Sequence, residues 1–158
     1  MKTRKKLLVT AVSVPLLATL FFSPVVLSHC EIPCGIYNDQ MRVEMIDEHI
    51  RTIEKSMRQI HELSKDRDKN YNQLTRWIVN KENHADKLSE IVTQYFMTQR
   101  IKPAAESDGK AYQDYVKQLT LLHKLMIYSM KSKQTTDLDN VEKLRENLSA
   151  FRMAYMGS

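Results

Sequence analysis

Three side chains with metal-binding chemistry fall close together at His29, Cys30 and Cys34, in the run His-Cys-Glu-Ile-Pro-Cys-Gly-Ile-Tyr at 29–37. Cys30 and Cys34 are the only cysteines of the 158-residue chain. Pro33 and Gly35 flank Cys34 and suit a tight turn that returns it toward Cys30. A cut before His29 would give that residue an α-amine beside its imidazole. The amine, the Cys30 backbone nitrogen as an amidate and two thiolates can then form a square-planar N₂S₂ set, with the imidazole available axially. Square-planar, nitrogen-rich sites point to nickel or copper, and thiolates narrow the choice. A tetrahedral zinc site fits less well, because only one histidine is near in sequence. The same spacing also suits a Cys30–Cys34 disulfide in an exported protein.

The cut itself is legible. Lys2, Arg4, Lys5 and Lys6 precede an apolar stretch from Leu7 to Leu27, and Val26 and Ser28 stand at −3 and −1 before His29. That is the layout of an export signal. An uncleaved membrane anchor is the competing reading, since the stretch approaches the length of a spanning helix. The leader also holds four of the chain's five excess positive charges, leaving about +1 on the rest. A nearly neutral body lacks the basic face that nucleic-acid binding needs. The expected location is periplasmic or extracellular, with membrane contact only through the leader during export.

The remaining sequence must position the hook, and its apolar spacing is helical. Asn38 and Asp39 can start a helix whose stripe is Ile46, Ile50, Ile53, Met57 and Ile60. Ser64 to Asn70 is a polar connection. A second stripe runs through Leu74, Trp77, Ile78, Ala85, Leu88, Val92 and Tyr95, interrupted by Lys81 and His84. Ile101 to Gly109, with Pro103, reads as a loop. The third helix carries Tyr112, Tyr115, Leu119, Leu122 and Met126, followed by polar Lys131 to Thr136. Thr136 or Asp137 can cap a fourth, with Val141, Leu144, Leu148, Phe151 and Tyr155. The expected fold is all-α, an antiparallel up-and-down four-helix bundle with an N-terminal metal-binding hook. The expected divisions are 1–28 export signal, 29–39 hook and 40–158 bundle.

Other chemistries find no support. A carboxylate-bridged di-iron bundle needs Glu-x-x-His on two helices. None of His29, His49, His61, His84 or His123 has a carboxylate three residues before it. There is no local signature of Ser-His-Asp or Cys-His hydrolysis, and no glycine-rich phosphate loop.

The run at 29–37 resembles the N-terminal nickel hook of nickel-containing superoxide dismutases, whose pattern is His-Cys-x-x-Pro-Cys-Gly-x-Tyr from the mature N-terminus. Every fixed position matches, and the expected cut falls at the corresponding bond. The family's body is a four-helix bundle of similar length, so the resemblance covers 29–158. It implies a homohexamer with one nickel ion per subunit, bound by His29, Cys30 and Cys34. It implies superoxide as substrate, disproportionated to dioxygen and hydrogen peroxide by Ni(III)/Ni(II) cycling. It implies that Tyr37 lies over the open face of the nickel and positions the anion or water there. Glu31 stands where many members have aspartate. Glu44, matched across a one-residue gap after Tyr37, corresponds to the glutamate that orients the nickel-binding imidazole. His84 stands where the family has an arginine in the same network, a departure that replaces a permanent cation with a group titrating near neutrality. His49, His61 and His123 read as ordinary helix residues. Two further readings remain at this stage: a non-enzymatic exported helical protein with a Cys30–Cys34 disulfide, and a nickel or copper carrier.

Overall fold

The computed structural model describes residues 37–157, and all the regular structure among them is helical. Helix α1, Asp39–Leu63, starts as its sequence dictates. The Asn38 side chain accepts a hydrogen bond from the Met41 N–H at 2.9 Å, satisfying one of the free donors of the first turn. Its expected stripe is buried in full, from Ile46 to Ile60, and Val43 extends it by one turn.

A three-residue 3₁₀ turn, Ser64–Asp66, leads into α2, Arg67–Glu90. The polar connection is thus shorter than its composition suggests, because Arg67 to Asn70 already lie in the helix. Helix α2 passes into a π-helical segment, Ile91–Arg100. An extended stretch and the 3₁₀ turn Glu106–Asp108 then reach Gly109, whose φ of 55° lies in the region that favours glycine. Helix α3 is Lys110–Gln134 and α4 is Asp139–Met156. The Asp139 N–H donates to the Asp137 carboxylate at 3.0 Å, so Asp137 does satisfy a free donor at the start of α4.

Two faces differ from the apolar pattern. On α2, Ile78 is exposed, whereas Lys81 is 3% exposed. The Lys81 ammonium donates to the backbone carbonyls of Lys133 and Thr135 at 2.7 and 2.9 Å. A cation placed on the last carbonyls of α3 satisfies acceptors that the helix leaves free and complements its dipole. Burial holds the Lys81 pKa below its ordinary value. On α3, the buried face is Leu121, Leu122, Leu125, Ser129 and Ser132. Two serines hid that face from an apolar count. Ser129 donates to the Ala85 carbonyl at 2.7 Å and accepts from Ser89 at 3.2 Å, which ties α3 to α2 with small side chains.

Helix α1 packs against α2 and α4, and α3 packs against α4 and α2. Their inner faces share one apolar cluster that includes Ile46, Ile50, Leu88, Leu122, Leu144 and Phe151.

Candidate functional site

Tyr37 is the last residue of the hook motif and the first described residue. Its ring is held on two sides. The Arg100 guanidinium carbon lies 4.2 Å from the ring centroid, and the Tyr95 ring meets it edge to face at 6.0 Å. Both partners come from the π-helical segment. Its bonding reaches five residues back, as in the Ile101 N–H to Phe96 carbonyl bond of 2.9 Å. The side chains of Thr98 and Gln99 also bond to carbonyls five residues earlier, at Thr93 and Gln94. An α-helix has 3.6 residues per turn, so residues five apart diverge around it. The wider π turn instead brings Tyr95 and Arg100 to the same carboxylate.

That carboxylate is Asp39, in the first turn of α1. One of its oxygens accepts from the Tyr95 hydroxyl at 2.6 Å and Arg100 Nε at 2.9 Å. The other accepts from Arg100 Nη2 at 2.7 Å and the Tyr155 hydroxyl at 2.8 Å. Burial works to raise the Asp39 pKa, but the hydrogen bonds from Arg100, Tyr95 and Tyr155 outweigh it and the net shift is downward. Burial and the Asp39 carboxylate push the Tyr95 phenol up to about 12, so it remains a neutral donor. Tyr155 is raised for the same reasons. Behind this group, Phe96 packs edge to face on Phe151 and Tyr155 at 5.0 and 5.6 Å. Arg42 covers the Tyr95 ring at 5.0 Å and has no ion-pair partner among the described residues.

His84 lies on α2 opposite His49 of α1, with their Nδ1 atoms 3.1 Å apart and the rings edge to face. One ring must donate and the other accept, so the contact requires a neutral ring as acceptor. The His49 pKa is lowered by burial and by His84, with Glu48 opposing. Burial and then Lys87 lower that of His84. Glu44 is exposed and accepts from Gln40 at 2.6 Å, and no hydrogen bond joins it to His84.

His29, Cys30, Glu31 and Cys34 lie outside the described residues, as do the leader and the expected cut before His29. Among the described residues no group of three or more His, Cys, Asp or Glu side chains could hold a metal ion. The motif singles out Tyr37, but its surroundings carried no comparable signal in the sequence. Asp39 was visible only as a helix start, and Tyr95 and Tyr155 only as members of apolar stripes. Arg100 had no signal, because its alignment with Tyr95 depends on the π register. His49, read as an ordinary helix residue, gave no sign of its pairing.

The family model for nickel-containing superoxide dismutase matches residues 24–158. No curated protein and no solved structure matches the chain.

Proposed function

We propose that this chain, which belongs to the nickel-containing superoxide dismutase family, holds its nickel at an N-terminal hook made of His29, Cys30 and Cys34. Membership makes the protein a superoxide dismutase, an oxidoreductase, with nickel as its cofactor. The readings as a non-enzymatic protein or a metal carrier are thereby set aside.

The donor set fits the ion. Two thiolates with nitrogen donors suit nickel, and the described residues supply no competing cluster. Bound nickel, alternating between Ni(III) and Ni(II), would supply the one-electron chemistry that converts one superoxide to dioxygen and another, with two protons, to hydrogen peroxide. The chain's own residues prepare that chemistry. Cys30 and Cys34 bind as thiolates, whose negative charge favours the higher oxidation state. The α-amine of His29 exists as a ligand only after cleavage, so 1–28 acts as an export signal and delivers the mature protein to the periplasm or outside. Tyr37, three residues beyond Cys34, positions the superoxide anion or a water with its phenol. Glu44 and His84 orient the His29 imidazole, as carboxylates and neighbouring donors do around metal-bound rings. Glu31 orders the hook. Residues 40–158 form an antiparallel four-helix bundle that assembles as a homohexamer; the ring of contacts α1–α2–α3–α4 supports the first part.

The observation that carries this reading is the family match across 24–158, which spans the hook motif and the helical body together. Replacing Cys34 by Ala is expected to abolish nickel binding and dismutation while far-UV circular dichroism stays helical. A Cys34→Ala protein that keeps its nickel and its activity would sink the hook assignment.

A further inference from the structure

We propose that Arg100 is a positioning residue for Tyr37, a guanidinium plate held by Asp39 that fixes the phenol ring for the reaction. The inference rests on the reading that Tyr37 positions the substrate.

Tyr37 precedes α1 and is 39% exposed, so its ring would be free to change rotamer without partners. Among the described residues its ring has two aromatic or cationic partners, and both are held in place. The Arg100 fork is bidentate on Asp39, with Nε and Nη2 on different oxygens. Tyr95 and Tyr155 complete the coordination of that carboxylate, so both oxygens have two donors. The Arg100 guanidinium is thereby fixed in orientation, and its central carbon lies over the Tyr37 ring, 4.2 Å from the centroid. The Tyr95 edge closes a second side. The π-helical segment serves this arrangement, since it lets residues 95 and 100 reach one carboxylate. A lysine could keep the charge opposite Asp39. It could not present a planar face to a phenol while holding two parallel hydrogen bonds.

The test uses mature, nickel-loaded protein with 3-fluorotyrosine at position 37, in wild type, Arg100→Gln, Arg100→Lys and Lys102→Gln. Lys102 is an exposed cation nearby in sequence, and its loss controls for simple removal of charge. In Arg100→Gln the fluorine resonance of residue 37 is expected to move toward that of free fluorotyrosine. kcat/KM for superoxide is expected to fall about tenfold, a modest loss for a misplaced group, with nickel content unchanged. Arg100→Lys is expected to move the resonance as well and to recover only part of the activity, whereas Lys102→Gln changes neither. If Arg100→Gln fails to fold, Arg100→Lys carries the same test, because it retains the cation opposite Asp39. An unmoved resonance in either Arg100 variant overturns the proposal, as does a loss in Lys102→Gln equal to that in Arg100→Gln. A wild-type protein that binds nickel without dismutating superoxide defeats the functional reading instead, and the fluorine spectra still decide whether Arg100 fixes the ring.

Discussion

At the scale of single residues, Asp39 gathers more of the site than any other described side chain. Arg100, Tyr95 and Tyr155 all donate to it, and together they hold its pKa below the ordinary value despite burial. A carboxylate depressed by folding binds fewer protons in the native state than in the unfolded chain. Its contribution to stability is present above the unfolded value near 4 and is lost as pH falls through the lower folded one. Acid titrations of stability are therefore expected to lose a component below about pH 4 in the wild type, and Asp39→Asn to flatten that limb. Equal acid limbs in the two proteins would contradict the assignment. Little of this was legible beforehand. The hook motif itself was, because its chemistry sits in consecutive residues. The partners of Asp39 stand 56, 61 and 116 positions away, and no local pattern relates residues so far apart.

Helices α1 and α4 could be read almost face by face, since the apolar stripes from Ile46 to Ile60 and from Val141 to Phe151 are buried, with His49, Ser56, Asn140 and Asn147 beside them. Helix α2 could not. Lys81 is buried because its ammonium caps the end of α3, a role that depends on a neighbour. The π segment after it shifts the register, so residues that an α pattern would separate converge. Helix α3 was read in part: Leu122 is buried and Tyr115, Leu119 and Met126 pack against the core, while Ser129 and Ser132 on the buried face gave no apolar signal. The aromatic group of Phe96, Phe151 and Tyr155 joins the π segment to α4 directly behind Asp39. Phe96 is fully buried. Phe96→Ala is expected to cost about 3–5 kcal/mol in chemical denaturation, as large-to-small core changes do. A cost below about 1 kcal/mol would mean that this layer does not hold the π segment against α4.

At the scale of the whole molecule, the proposed function falls to a short motif and a helical body. In the proposed reading the motif supplies the metal donors, and the body supplies the groups that seat Tyr37. The described residues hold no group of three His, Cys, Asp or Glu that could bind a metal ion, and their N-terminal edge carries an organised set of charged and aromatic side chains. The proposed hook also makes function depend on where the chain is cut. In the uncut chain the nitrogen of His29 is an amide and cannot serve as the amine ligand.

The most direct measurement compares nickel content and superoxide dismutation in two proteins that differ only at this point. One begins at His29, verified by mass, and the other carries a single alanine before it. The protein beginning at His29 is expected to bind nickel in a one-to-one ratio and to dismutate superoxide, and the extended protein to lose that activity. Equal activity in the two would contradict the claim that the His29 α-amine is a ligand.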